Sequence, residues 1–425
     1  MSIYESYCKA YKVTTDSRHV EPDAVFFALK GENFDGNDFA MEVAEKGVAS
    51  LVVSDRQSLP DHPRLVKVED SLVALQALAF CHRQMMKDLT VISITGTNGK
   101  TTTKELVSAV LSKKFPLIHT EGNFNNHLGV PLTLLRITPE TRMAVVEMGA
   151  NHPGEIKQLA DIVQPDYGII TNIGKAHLEG FGSFEGVIKT KNELYDHLRS
   201  HKKQAFVNSD NELLMRLVGT MGHHTYGQHE PTDCLVKPVS CAPYLKVSTE
   251  RLGEIQTQLV GAYNFENVAA AIAVGSYFGV EDQDIREALE AYRPTNSRSQ
   301  VIEGRNHIIM DAYNANPTSM TASVTNFKAI CGARPLPILG DMRELGEASE
   351  REHRAILDLL WASGFREAYL VGSIFSQYNN HPEYHSFLTV EDLIAYLEVH
   401  PVEGKDILVK GSHSVHLEKI LPLIQ

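Results

Sequence analysis

The run Thr95-Gly96-Thr97-Asn98-Gly99-Lys100-Thr101-Thr102 constrains this chain more than any other segment. It follows an apolar strand-like stretch, residues 89–94, and precedes a stretch whose apolar residues Leu106, Val107, Val110 and Leu111 recur at helical spacing. Strand, glycine turn and helix in that order are the setting of a phosphate-binding loop. Small residues let backbone N–H groups close around phosphate oxygens at a helix N-terminus. Gly96, Thr97, Asn98, Gly99, Lys100, Thr101 and Thr102 are therefore candidate nucleotide contacts. Lys100 is expected to reach the β- and γ-phosphates, and the Thr101 hydroxyl to face Mg²⁺. Ile94 stands where the first glycine of the full pattern belongs. The bland alternative is a glycine turn carrying a solvated lysine.

The pattern around this loop predicts α/β architecture throughout. Apolar runs at 24–29 and 49–53 flank a helical stretch at 39–46, and an apolar helix at 72–83 closes this first unit. Further strand-like runs at 144–146, 168–170 and 205–207, separated by helical stretches, predict a parallel, doubly wound sheet. An alanine-rich helix at 264–278 ends that unit. Arg293-Pro294-Thr295-Asn296-Ser297 breaks the pattern and is the candidate linker. A third alternating unit has strands at 308–310, 337–339, 368–371 and 407–409. The expectation is three domains: 1–88, 89–296 and 297–425.

The 425 residues carry a net charge of −13, which argues against nucleic acid or an anionic membrane surface as partner. A nucleotide needs only a local pocket. The five cysteines form no C-x-x-C pair and fit a reducing compartment. The first twelve residues hold no apolar run suited to a signal peptide, and no stretch is long and apolar enough to span a membrane. A cytoplasmic enzyme is the expectation.

Other candidates lie just past strand ends, where open α/β sheets gather ligands. Glu147 follows 144–146 and suits Mg²⁺, although an N-capping or solvated glutamate reads equally well. His177 lies in a loop and Lys191 on the helical stretch 183–199, where pattern alone makes it a surface lysine like Lys189. Asn264 and Asn267 open the alanine-rich helix, as caps or as amides facing a base. Arg298, Asp311, Lys410 and Ser412 sit at the linker or at strand ends of the third unit.

Gly-Thr-Asn-Gly-Lys-Thr-Thr, with the same glycine missing, resembles the Mur ligase family, and the resemblance covers essentially the whole chain. It implies a small UDP-binding domain, a central phosphate-loop ATPase domain and a C-terminal Rossmann-like domain. It implies ATP and two Mg²⁺ ions, with Glu147 and His177 at the metals and Lys191 carbamylated by CO₂ as a further ligand. Asn264, Asn267, Arg298 and Asp311 correspond to nucleotide contacts, Tyr263 standing where His is common. Thr15-Asp16-Ser17-Arg18 resembles the UDP-binding segment, with Ser17 and Arg18 toward uracil and diphosphate. Three segments, 122–131, 311–320 and 339–346, resemble the members that add a dipeptide, and the Asp-Asn-Pro-Arg motif of diaminopimelate-adding members is absent. Asn123, Asn125, Asn126, Asn314, Lys410 and Ser412 are the corresponding substrate contacts. The implied reaction joins D-alanyl-D-alanine to UDP-N-acetylmuramoyl-tripeptide through an acyl phosphate, by a chain expected to act as a monomer. Rival expectations are a sibling adding the third amino acid, a folylpolyglutamate-synthetase-like ligase, and a regulatory phosphate-loop switch. The last would need Asn-Lys-x-Asp, and no Asn-Lys pair occurs.

Overall fold

A computed structural model describes residues 2–294 and 298–425. The expected boundary at 296/297, and Thr295, Asn296 and Ser297 of the candidate linker, lie outside the described residues.

The first sheet is parallel, in the order Val13–Thr14, Val25–Phe27, Leu51–Ser54, Leu65–Lys67. Its inner strands read as continuous apolar runs because both faces are covered. Phe26 and Val52 pack toward Val43 and Ala44 of the helix Ala40–Lys46. Val25, Phe27 and Val53 pack toward Leu75 and Leu78 of the helix Ser71–Met85. That second core does not stop at the helix: it continues through Val91, Val130, Val146 and Leu159 of the central unit. Polar bonds stitch the same seam. The Tyr7 hydroxyl donates to the Leu135 carbonyl at 3.1 Å, and the buried His82 ring meets the Ile137 carbonyl at 2.9 Å. The sequence pattern placed the 72–83 helix at the end of one unit; in the fold it is shared by two.

The central sheet has seven strands, all parallel: Cys234–Leu235, His223–Gly227, Gln204–Asn208, Tyr167–Ile170, Thr90–Thr95, Met143–Glu147 and Leu117–His119. From Thr90–Thr95 the chain first builds toward the Leu117–His119 edge and then crosses to build the other side. The phosphate loop therefore leaves the sheet at the point where strand order reverses, the place where such sheets bind ligands. Behind it, Leu106, Val107, Val110 and Leu111 of the helix Lys100–Leu111 are fully buried against the alanine-rich helix Phe265–Tyr277. A Cβ at Gly275 would come within 2.4 Å of Val110 Cγ1, so glycine there sets how closely the two helices approach.

The third sheet runs Gln300–Glu303, His307–Asp311, Asp406–Lys410, Pro335–Gly340, Ala368–Val371, Tyr384–Phe387, parallel except at its first strand. Register pairs Asp311 with Lys410 at adjacent carboxyl ends. An antiparallel sheet, Lys237–Ser240, Lys246–Thr249 and Gly253–Gln256, was not anticipated from the sequence.

Because Leu75 is fully buried in the shared core, Leu75→Ala should destabilise the fold by about 2–5 kcal/mol. Urea denaturation followed by circular dichroism measures this; a loss below about 0.5 kcal/mol, as at a surface site, would contradict the shared core.

Candidate active site

The phosphate loop is held by close backbone approach. Gly96 has φ +142°, and a Cβ there would lie 2.0 Å from Thr171 Oγ1. Gly99 has φ +78°, and a Cβ there would lie 2.5 Å from Asn267 Oδ1. No side chain caps the helix that begins at Lys100, so its first N–H groups face the cavity. Asn172 accepts the Thr97 and Asn98 amides at 2.9 and 3.0 Å, and Thr171 Oγ1 donates to the Asn98 carbonyl at 2.6 Å. Lys100 is not a solvated lysine. Its ammonium donates to the Gly96 and Thr97 carbonyls at 2.9 and 3.0 Å, folded over its own loop. Burial pulls its pKa down, the nearby Glu147 charge opposes that pull, and Arg298 adds to it.

Beside the loop, Glu147 is only 1% exposed, which excludes a solvated role. Its Oε2 accepts from the Thr101 hydroxyl at 2.9 Å and its Oε1 from Asn125 Nδ2 at 2.8 Å. A carboxylate and a hydroxyl converging beside Lys100 fit Mg²⁺, which takes one or two protein oxygens and completes its shell with water and phosphate. Asn125 is itself fixed, its carbonyl accepting the Gly149 amide at 2.7 Å. Asn126 Oδ1 caps the Leu128 and Gly129 amides, and Asn123 lines the cavity.

His177 adopts φ 50°, and its Nδ1 meets the Glu344 carboxylate of the third domain. Burial lowers its pKa, Glu344 opposing and Lys100 adding to the effect. Lys191 departs furthest from its sequence pattern. It is 2% exposed, its Nζ lies 3.5 Å from the Ala150 carbonyl and 5.4 Å from the Phe181 ring centroid, and Lys189 is exposed. Burial first, then the charge of Lys100, push the Lys191 amine down to about 7. Among the described residues no three His, Cys, Asp or Glu side chains cluster as a metal site.

One cavity of about 810 Å³ joins Lys100, Thr101, Glu147, His177 and the asparagine-rich loop to the third domain. Asn264 and Asn267 line it, with their amides engaged in a buried relay: Thr103 Oγ1 to Asn267 Oδ1, Asn267 Nδ2 to Asn264 Oδ1, and Asn264 Nδ2 to the Val260 carbonyl, at 2.9, 2.9 and 2.8 Å. Thr102 lines the wall as well. From the other side, Arg298 stacks 3.7 Å over the Tyr313 ring, and Lys410 donates to Asp311 at 2.7 Å and to the Asn314 carbonyl at 3.1 Å. Asn316 Nδ2 donates across to Asn98 Oδ1 at 2.8 Å.

Five sequence candidates do not line this cavity: Gly96 and Lys191, which bond to the lining residues Lys100 and Ala150, and Ser412, Ser17 and Arg18. Ser412 accepts the Arg343 amide at 3.1 Å behind the wall. Ser17 and Arg18 lie on the first domain, where the Arg18 guanidinium grips Asp16 at 2.9 and 2.8 Å. Sequence reasoning missed Asn172, Gln228, Glu266, Asn316 and Glu344. Glu266 lines the cavity with its pKa raised by burial, and then by Asp210, to about 7. Asn316 and Glu344 lie within the segments 311–320 and 339–346 without being singled out there, although Asn316-Pro317 is a helix cap followed by proline at the first turn.

The comparisons agree along the whole chain. The sequence patterns of the Mur ligase family catalytic domain, the Mur ligase middle domain and the Mur ligase glutamate ligase domain match residues 9–90, 94–275 and 297–413. The UDP-N-acetylmuramoyl-tripeptide–D-alanyl-D-alanine ligase of Bacillus subtilis (strain 168) is 34% identical, over 96% of this chain and 92% of that protein. The chain belongs to the Mur ligase family. Solved structures similar to this Mur ligase include MurF from Acinetobacter baumannii, 32% identical with a TM-score of 0.85 over 97% of this chain and 92% of that one. MurF ligase from Thermotoga maritima in complex with ADP is 26% identical, with a TM-score of 0.85 over 100% and 98%.

In this Mur ligase the burial contrast between two neighbouring lysines is testable. Lys191→Ala should lower turnover by about 100-fold or more, the scale for losing an electrostatic contributor at a reacting phosphate. Lys189→Ala should stay within about twofold, as surface changes do. Phosphate release from ATP measures both, and the reverse ranking would move the role to Lys189.

Proposed function

We propose that this ligase joins D-alanyl-D-alanine to UDP-N-acetylmuramoyl-tripeptide, with ATP converted to ADP and phosphate, in peptidoglycan precursor synthesis. One observation carries the reading: the phosphate loop, the Thr101–Glu147 pair and the asparagine-rich loop share a single cavity whose far wall is the third domain. The names of its full-length relatives support the substrates.

An amide does not form from a carboxylate and an amine in water without activation. A terminal carboxylate oxygen of the tripeptide attacks the γ-phosphorus, the bond to the bridging oxygen breaks, and ADP leaves. The dipeptide amine then attacks the acyl carbon. The carbon–oxygen bond breaks, inorganic phosphate departs with the carboxylate oxygen, and the amine gives up a proton. Lys100 and the first amides of its helix hold the phosphates and offset their charge. Mg²⁺ held by Thr101 and Glu147 would neutralise charge on the transferring group. Lys191, with its amine pushed down to about 7, suits capture of CO₂ as a carbamate, which would give a second Mg²⁺ near His177 an anionic ligand.

Asn264 and Asn267 on one side, and Arg298 and Asp311 on the other, are assigned to the nucleotide. Asn123, Asn125, Asn126, Asn314 and Lys410 are assigned to the peptide side, with Ser412 supporting the wall. Domains at 1–88, 89–296 and 297–425 follow, the first presenting Ser17 and Arg18 to the UDP end, where Arg18 would exchange Asp16 for diphosphate. No described helix is long and apolar enough to cross a membrane, and we take the enzyme as a cytoplasmic monomer.

The test is phosphate release with ATP and UDP-N-acetylmuramoyl-tripeptide. D-alanyl-D-alanine should stimulate it and yield the pentapeptide product. Lysine and diaminopimelate should not; ligation of diaminopimelate onto a muramyl dipeptide would identify a sibling activity instead.

A further inference from the structure

The third domain touches the catalytic wall of the central domain at a point that the phosphate chemistry does not explain. Glu344 follows the strand Pro335–Gly340 in Asp341-Met342-Arg343-Glu344-Leu345-Gly346. Its carboxylate meets His177 Nδ1, and its carbonyl accepts the Glu179 amide at 3.3 Å. Both partners have left-handed backbone: φ is 62° at Glu344 and 50° at His177, a region that non-glycine residues rarely enter. Such conformations persist where surrounding structure enforces them, and they gather at functional sites. A second interdomain ion pair, Lys175 to Glu352 at 3.3 Å, lies alongside.

The ring nitrogen that Glu344 occupies is the informative detail. A carboxylate on Nδ1 holds the proton there and leaves Nε2 with its lone pair free, in a ring that lines the cavity. Histidines that bind metals are commonly fixed in this way by a carboxylate on the other nitrogen. Here that carboxylate belongs to a different domain from the histidine.

We propose that Glu344 is a positioning residue: by closing on the central domain, the third domain fixes the tautomer and orientation of His177 and so completes the site only in the closed enzyme. The inference rests on the assignment of His177 to the metal side of the reaction. It ties catalysis to closure without placing Glu344 on any substrate. Ligation would then wait for the domain that also shields the acyl phosphate from water.

A double-mutant cycle tests it. Glu344→Ala should lower kcat about tenfold or more, the scale for losing a carboxylate behind a metal-binding histidine. It should leave the KM for ATP within about twofold, the range of a surface substitution. Glu344→Gln, whose amide oxygen still accepts from Nδ1–H, should recover most of the loss. In a His177→Ala background Glu344→Ala should add nothing. Independently of activity, nitrogen NMR of the enzyme saturated with ADP and UDP-N-acetylmuramoyl-tripeptide should show His177 protonated on Nδ1, assigned by its disappearance in His177→Ala. That proton should move to Nε2 in Glu344→Ala. Multiplying effects of the two alanine variants, or an unchanged tautomer in Glu344→Ala, would overturn the proposal. If His177→Ala is itself fully active, the assignment of His177 fails as well. If His177→Ala is inactive while Glu344→Ala matches the wild type, only the role of Glu344 fails.

Discussion

The close approach of the phosphate loop to its neighbours is the constraint on which the rest of the site depends. Gly96 passes against Thr171 and Gly99 against Asn267, each at a distance that leaves no room for a Cβ. The turn this permits starts the helix at Lys100, and two consecutive residues of that helix then face different tasks. Lys100 folds back over the loop, while Thr101 reaches Glu147. Glu147 in turn holds Asn125, which fixes the asparagine-rich loop. Asn98, on the same turn, accepts the bond from Asn316 that reaches into the third domain. A side chain at either glycine would open the turn and separate all of these groups together.

Charges of both signs converge at this point. Lys100, Arg298 and Lys410 line one cavity together with Glu147, Glu155, Glu266 and Asp311, and Lys191 lies just behind its wall. Burying several cations near one another is unfavourable without anions to compensate. Lys410 has Asp311 and Lys100 has the opposing charge of Glu147, yet burial and neighbouring cations still lower the pKa values of Lys100 and Lys191. A polyanionic nucleotide among these cations would offset their mutual repulsion, so the arrangement favours binding of phosphate groups.

What the sequence disclosed follows the same physics. Strands such as Met143–Glu147 and Ala368–Val371 were legible because both faces are buried and their residues, Glu147 aside, form apolar runs. Short or edge strands such as Leu117–His119 and Gln300–Glu303, with part-exposed mixed residues, gave no such run. The phosphate loop was legible because its chemistry is local. Lys191 was not: a helical pattern does not reveal that Ala150 and Phe181 from other segments cover one lysine and leave Lys189 in water. Ser412 follows a strand end, and in the fold its hydroxyl oxygen accepts the Arg343 amide behind the cavity wall. Asn316 and Glu344 act across domains, and no local pattern encodes a partner more than a hundred residues away.

The central claim is that this cavity activates a carboxylate by phosphorylating it, and the oxygen atoms record whether it does. UDP-N-acetylmuramoyl-tripeptide labelled with heavy oxygen in the terminal carboxylate of its peptide should be ligated to D-alanyl-D-alanine, and the phosphate analysed by mass spectrometry. An acyl phosphate intermediate predicts one labelled oxygen in every phosphate released during ligation. Ligation that releases unlabelled phosphate would contradict it.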